Sequence, residues 1–328
     1  MDNLVKSFFV LFLLLLTSSC VDKEVSDKSM ANASSGNINS LNIIIDNENW
    51  NGRVGETIRE IFAANVDGLP QQEPLFNLKQ LPPSTFSGFA RNNRTFLRVD
   101  ISERKHFKVA KDTFASPQLG IFVSGSKESV IEILEQNAED LVIQLRNVEL
   151  KEQLRRIRKS TKEDTSLREN FGVSLTFPTA YRFAKEEEGL TWIRKDIKNG
   201  NMELLIYEVP INQVENEDEV IANIIKIRDS IGKEHIPGPS EGQYMITEEA
   251  YAPFINDISF RGRKAYEVKG TWEVKNNFMA GPFLLYAIKD EENNRYLFAE
   301  GFVFKPSYAK RNHIFEIEAI LKSLDFVK

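Results

Sequence analysis

Tyr266-Glu-Val-Lys-Gly-Thr-Trp-Glu-Val274 decides how the second half of this chain folds. Tyr266, Val268, Trp272 and Val274 sit on alternate positions, with Glu267, Lys269 and Glu273 between them. A period of two marks a strand with one core face and one wet face. Two apolar runs follow, Phe283 to Lys289 and Tyr296 to Phe304, joined by the polar turn Asp290-Glu-Glu-Asn-Asn294. Three such runs in succession predict an antiparallel meander. Upstream, Phe171-Gly-Val-Ser-Leu-Thr-Phe177-Pro178 alternates strictly, and Met202 to Ile211 is apolar on both faces. Asn216-Glu-Asp-Glu219 resembles a capping box, and Val220, Ile221, Ile224, Ile225 and Ile231 then make one helical face. His235 to Gly242 reads as a loop. The chain closes on a helix from about Tyr308, striped by Ile314, Ile317, Ile320, Leu321 and Leu324. Lys310 and Arg311 open that helix, where its dipole disfavours cations.

The first half begins with a buried strand, Leu41-Asn-Ile-Ile-Ile45, and a turn, Asp46 to Gly52. Val54 to Asn65 has helical spacing. Gly52 and Gly55 at its start lack the Lys-Ser/Thr of a phosphate loop, so a glycine-tolerant helix start is expected. Pro70 and Pro74 keep Leu69 to Phe76 extended. Arg91 to Ile101 reads as a strand with Leu97, Val99 and Ile101 inward, and Leu119, Ile121 and Val123 make another. Ser126 caps a helical region that runs to about Lys159, with a second cap at Asn137. Its basic end (Arg155, Arg156, Arg158, Lys159, Lys162) reads first as cations answering the helix dipole, and second as a contact for lipid phosphates or a polyanion. Residues 160–170 carry one apolar side chain of note, Leu167, and the domain boundary is placed there. The expected fold class is α+β: two α/β sandwich-like domains, 41–160 and 171–328, with mainly antiparallel sheets flanked by helices.

Composition is that of a globular protein: 41% hydrophobic and 27% charged residues, with 23 Phe and a net charge of −6. Charges of both signs are mixed, which argues against nucleic acid as a partner. His106, His235 and His313 are not at metal-ligand spacing, and HExxH and G-x-S-x-G are absent, so no metal, cofactor or catalytic set is expected. Asp46 and Glu48 beside Trp50 form the most site-like cluster, because a carboxylate with an aromatic ring suits a sugar. The competing reading makes Trp50 a core anchor and the acids solvated. Asp229-Ser230-Ile231 fits a short O-glycosylation pattern at Ser230, which intact mass would reveal.

At the N-terminus, Lys6 precedes the apolar run Phe8 to Leu16, and Thr17-Ser18-Ser19 leads into Cys20, the one cysteine of the chain. A transmembrane helix needs roughly 20 apolar residues, so the run fits the apolar region of a signal peptide instead. Thr17-Ser-Ser-Cys20 resembles the lipobox of bacterial lipoproteins. The resemblance implies removal of residues 1–19 and acylation (palmitate or a related chain) at Cys20. More than one acyl chain makes a stable anchor. Residues 20–40 then form a polar tether that is expected to stay disordered. Val21 lacks the aspartate that marks inner-membrane retention in some bacteria, which favours the outer membrane.

Trp50-x-Gly-x-x-Gly55-x-x-Ile58-Arg59, Leu69-Pro-x-x-Glu-Pro-Leu-Phe76 and Arg91-Asn92 resemble a family of Bacteroidota lipoproteins, a domain of unknown function. The second half, from Phe177-Pro178 to Leu321-Lys-Ser-Leu-Asp-Phe326, is similar to the PsbP/Mog1-like sandwich. Members of that fold act mostly as binding or assembly subunits. The resulting expectation is an envelope lipoprotein that binds a protein or glycan partner without catalysis. The alternative is a carbohydrate- or peptide-active hydrolase with carboxylates still to be identified.

Overall fold

A computed structural model of the chain describes residues 32–216 and 219–327. The expected signal peptide, Cys20, residues 20–31 of the expected tether and the middle of the Asn216–Glu219 cap lie outside those residues. Residues 32–40, expected to stay disordered with the rest of the tether, are instead held in the fold: the Ser34 and Ser35 amides donate to the Ser116 and Asn92 carbonyls, and Asn39 is buried. Residues 33–328 form one compact unit.

The first half is built on a five-stranded sheet. Its strands are β1 (Ser40–Ile44), β2 (Asn77–Leu81), β3 (Thr95–Ile101), β4 (His106–Lys111) and β5 (Leu119–Gly125), in the order β2-β1-β3-β5-β4. Three pairings are parallel, β1 with β2, β1 with β3 and β3 with β5. Only the β4–β5 edge is antiparallel. Parallel neighbours need covered crossovers, and helices supply the cover. They are the single turn α1 (Asn47–Trp50), α2 (Arg53–Phe62), α3 (Lys127–Gln136) and α4 (Ala138–Ile157). Val54, Ile58 and Phe62 recur at the i, i+4 spacing and are buried against Leu41, Ile43, Leu97 and Ile121. Ser126 caps α3 by accepting from the Ser129 amide, and the chain breaks at Asn137 before α4, as its spacing predicts. The sheet's other face carries a smaller aromatic cluster, with Phe86 and Phe96 ring centres 5.1 Å apart.

The second half is an eight-stranded antiparallel sheet that curls. Its strands are β6 (Arg182–Glu187), β7 (Leu190–Ile197), β8 (Gly200–Pro210), β9 (Met245–Thr247), β10 (Phe254–Phe260), β11 (Arg263–Val274), β12 (Ala280–Asp290) and β13 (Arg295–Phe304). The order is β9-β11-β12-β13-β8-β7-β6, with β10 also paired to β11. β11, β12 and β13 are the expected meander, and Asn294 closes its second turn in the left-handed region at φ 51°. Both faces are covered. On one lies α6 (Val220–His235), over Leu205, Tyr207, Val268 and Leu285. On the other lie α5 (Thr165–Phe171) and α7 (Arg311–Leu321), over Leu204, Leu284, Tyr286 and Ala299. The chain is therefore α+β, with mainly antiparallel pairing overall and helices flanking the sheets.

Four local expectations are corrected. Residues 47–50 are a helical turn, because the Asp46 side chain accepts from the Asn49 amide and caps it. Residues 165–171 are helical, with Leu167 and Phe171 buried. Phe171 to Phe177 keeps its alternation, with Val173, Leu175 and Phe177 buried, but only Val173–Ser174 is in a ladder, with Asp325–Phe326. The second face of β11 is only partly wet: Glu267 and Thr271 are each 8% exposed, while Lys269 and Glu273 stay half-buried.

The cations that open α7 have a physical cause. Glu73, from the Leu69–Phe76 segment, accepts from the Lys310 amide (2.7 Å) and the Arg311 amide (3.0 Å). A carboxylate on free amides at a helix N-terminus is the favoured arrangement. The Arg311 guanidinium turns back to the Pro74 carbonyl at 2.7 Å. One loop of the first half thus caps the last helix of the second. Arg146 on α4 adds an ion pair to Glu318 on α7 at 2.6 Å.

Candidate functional site

An open cleft of about 1020 Å³ lies between the start of α4 and the β10–β11 hairpin. Strand alternation sets its floor. Asn256, Ile258 and Phe260 of β10 pair with Glu267, Ala265 and Arg263 of β11, and these positions share the face that carries α5 and α7. The helical layer does not extend over the outermost strand, so Ile258 stays half-buried. Val142 and Ile143 of α4 and Ile61 of α2 form the opposite wall. Ile143 is 49% exposed, which is unusual for isoleucine on a helix that is otherwise packed.

Glu267, Lys269 and Lys322 of the cleft are already paired. Lys269 Nζ lies 2.5 Å from Glu267, and the Tyr286 hydroxyl donates to the same carboxylate at 2.8 Å. Burial, then the carboxylates of Glu318 and Glu267, push the Tyr286 hydroxyl well above its ordinary range, so it stays a donor. Lys322 pairs with Glu318 at 2.8 Å. Burial alone would raise Glu318, but Arg146 and Lys322 outweigh it and bring it to about 2. Asp67 and Glu139 stand exposed at the rim. β10 pairs only with β11 among the described residues, so its outer edge offers free backbone amides and carbonyls beside the apolar wall.

The residues singled out from sequence lie elsewhere. Asp46 is engaged as the α1 cap, accepting from Asn49 N (2.9 Å) and Asn49 Nδ2 (2.7 Å), and these bonds hold its carboxyl below the usual range. Glu48 points outward and pairs with Lys127 at 2.9 Å. Trp50 packs against the first-half core, with the Arg59 guanidinium 4.7 Å from its ring centre. Gly55 explains the spacing that follows Trp50. A Cβ there would sit 1.8 Å from the Trp50 carbonyl oxygen, so the glycine serves a close backbone approach. None of the three lines the cleft. Ser230 is exposed on α6, its hydroxyl bonded to the Lys226 carbonyl at 2.9 Å, and its neighbour Asp229 holds Thr247. Among the described residues no group of His, Cys, Asp and Glu has metal-ligand geometry.

β10 was missed in the sequence, although Phe254, Asn256, Ile258 and Phe260 alternate. Asn256, Asp257 and Ser259 break its apolar character and make it resemble a loop. Glu203 was missed as well. It is 2% exposed, and Trp192 Nε1 donates to it at 2.7 Å. Burial pushes it up to about 7 against the opposing pull of Trp192 and Arg194.

Together these features define an α+β scaffold with a covered sheet and an open cleft at a strand edge. Residues 160–323 match the family described as Domain of unknown function (DUF4837), and the chain belongs to that family. Residues 34–158 match a second, Domain of unknown function (DUF8532). No curated protein matches the chain. Among solved structures, the chain is similar to cyanobacterial PsbP (CyanoP) from Synechocystis sp. PCC 6803, at TM-score 0.32 and 10% identity, over 50% of this chain and 89% of that one. It is also similar to the Saccharomyces cerevisiae Ran-binding protein Mog1p, at TM-score 0.31 and 5% identity, over 48% and 91%.

Proposed function

We infer that this chain is a lipid-anchored envelope protein, of the Bacteroidota lipoprotein type its motifs resemble. In this reading it is held at the outer membrane through Cys20 and binds an extended segment of a partner protein in the α4–β10 cleft. The observation that carries the binding reading is the pairing of a free strand edge with an apolar helical wall. A partner strand added along β10 satisfies the free backbone groups, and its alternate side chains meet Ile143, Val142 and Ile258. The charge inventory supports binding over hydrolysis. A hydrolase site needs two inward carboxylates free to exchange protons. Here Glu267 is paired, and Asp67 and Glu139 are exposed at the rim.

A photoreactive residue placed at Ile143 in the membrane-bound protein tests this. Peptide mapping of the crosslinked product is expected to locate a run of alternating apolar residues, and Ile258→Asp is expected to reduce that product at least about tenfold. A crosslinked product unaffected by Ile258→Asp overturns the cleft assignment. The anchor is checked separately: Cys20→Ala is expected to move the protein out of the membrane fraction, and retention there overturns it.

A further inference from the structure

The place where the chain enters the fold is ringed by cations. The Ser34 amide donates to the Ser116 carbonyl (3.1 Å), and the Ser35 amide to the Asn92 carbonyl (2.8 Å). Arg156 Nη2, at the end of α4, donates to the Gly36 carbonyl at 2.9 Å. One short stretch, Ser34–Gly36, therefore joins the Gly88–Asn92 turn, the Ser116–Pro117 loop and the basic end of α4. A groove of about 260 Å³ opens beside it, lined by Lys111, Asp112 and Pro117 on one side and Lys151, Glu152 and Arg155 on the other. The Gly88–Asn92 turn carries Phe89, which is 87% exposed.

The charge balance of this region follows from its ion pairs. Glu152 is 4% exposed, and Arg155 and Arg156 hold it at 2.6 and 2.7 Å. The Arg155 bond works against burial, with Arg156 and Arg94 adding to it, and together they take Glu152 down to about 2, so it stays ionised. Glu149 is answered by Arg94. Lys111, Lys151, Arg158 and Lys159 are exposed and have no carboxylate within ion-pair distance among the described residues. Asp112, whose Oδ1 accepts from the Gln118 amide, is an acid of the groove wall, and Glu163 follows α4 in the chain and is exposed. Excess positive charge with one exposed aromatic ring suits an interface with anionic headgroups.

We propose that this face, comprising Lys111, Lys151, Arg158, Lys159 and Phe89, docks on anionic phospholipid. It thereby orients the body of the protein on the bilayer to which Cys20 tethers it. The proposal rests on the anchored reading, because the tether delivers this face to the membrane. It also gives α4 a second role. The helix spans Ala138–Ile157, about 30 Å at 1.5 Å per residue. With its basic end on lipid, its first turn, which walls the cleft, stands clear of the headgroups and open to a partner.

The test uses the protein isolated from the membrane fraction. It is reconstituted with vesicles of phosphatidylethanolamine containing one quarter phosphatidylglycerol, and with phosphatidylcholine vesicles. Acetylation rates of individual lysines are read by mass spectrometry. On the anionic vesicles Lys111 and Lys151 are expected to react at least about fivefold more slowly than on phosphatidylcholine, while Lys226 on α6 is unchanged. High salt should remove the difference, since it shortens the screening length to a few Å. The exposed double variant Arg158→Glu/Lys159→Glu should remove it too, with the far-ultraviolet dichroism intact. Equal rates on both vesicle types, in protein that co-sediments with them, overturn the docking face and leave the anchor standing. Failure to co-sediment with phosphatidylcholine overturns the anchor. The face is then judged by adding anionic vesicles at low salt, where protection of Lys111 and Lys151 upholds it and its absence overturns it.

Discussion

The two sheets solve the same problem in opposite ways. The large sheet is antiparallel, and helices cover both faces; the small one is mainly parallel, with helices on one face and a patch of phenylalanines on the other. Each is pinned to a helix by a buried ion pair. In the large half the cation is on the helix: Arg228 of α6 (0% exposed) reaches Glu300 of β13 (1%) at 2.8 Å, with its guanidinium 3.8 Å from the Phe283 ring centre. In the small half the cation is Arg94, just before β3, and it meets Glu149 of α4 at 2.8 Å. Glu149 keeps another donor, the Asn39 amide at 2.8 Å, whereas among the described residues the donors to Glu300 come from Arg228 alone. The same device therefore carries more risk in the large sheet.

Breaking the two pairs in parallel gives the largest contrast. Arg228→Met is expected to cost about 4 kcal/mol in urea unfolding, because it strands a buried carboxylate. Arg94→Met should cost about 3 kcal/mol or less, since Glu149 retains a donor. Adding Glu300→Leu to Arg228→Met should recover most of the loss. Equal costs for the two single variants would remove the distinction.

A second contrast concerns pH. Glu203, in the large half, is pushed up to about 7 in the fold against 4.5 unfolded. Between those values the unfolded chain has lost a proton that the folded chain keeps, so stability falls as pH rises, by up to about 3 kcal/mol. His313 has the opposite sign. Burial and the neighbouring Lys305 and Lys195 lower it from 6.5 to about 4, so the unfolded chain binds a proton first and stability rises with pH over that window. The two slopes oppose one another between pH 4.5 and 6.5. Glu203→Gln should therefore expose an upward slope with pH in unfolding experiments at pH 5 and 6.5, and His313→Gln a downward one. Unchanged slopes in both variants would sink the assignment.

The smallest effect lies where the halves meet. Glu73→Ala removes the cap on α7 and should lower stability by about 1–2 kcal/mol. Hydrogen exchange should quicken at the Lys310 and Arg311 amides and leave β11–β13 protected. Loss confined to the first half would mean that the cap does not join the halves.

Local pattern made much of this fold legible. The meander, α2, the Ser126 cap and the break at Asn137 follow from period and capping chemistry, both of which act over a few residues. What was missed depended on distant partners. β10 reads as polar on its own and becomes a strand because β11 supplies the ladder. Glu267 reads as a solvent-facing acid, yet it is buried, with Lys269 and the Tyr286 hydroxyl of the neighbouring strand on its carboxylate. The Asp46–Glu48–Trp50 cluster illustrates the converse. Its residues are adjacent in sequence, but their polar groups turn to a cap and to Lys127, while the cleft draws on α2, α4, β10 and β11.

The sequence by itself determined the meander, α2, α6, the helical region after Ser126 and the closing helix, the α+β class and the resemblance of Cys20 to a lipid-attachment site. These rest on side chains a few positions apart, whose spacing the backbone geometry imposes. Tertiary structure decided that Glu267, on the expected wet side of Tyr266–Val274, is buried, that Glu73 caps a helix more than two hundred residues away, and that the basic end of α4 lies beside Ser34–Gly36. Burial and capping at such range depend on which surfaces pack together, and no local period encodes that.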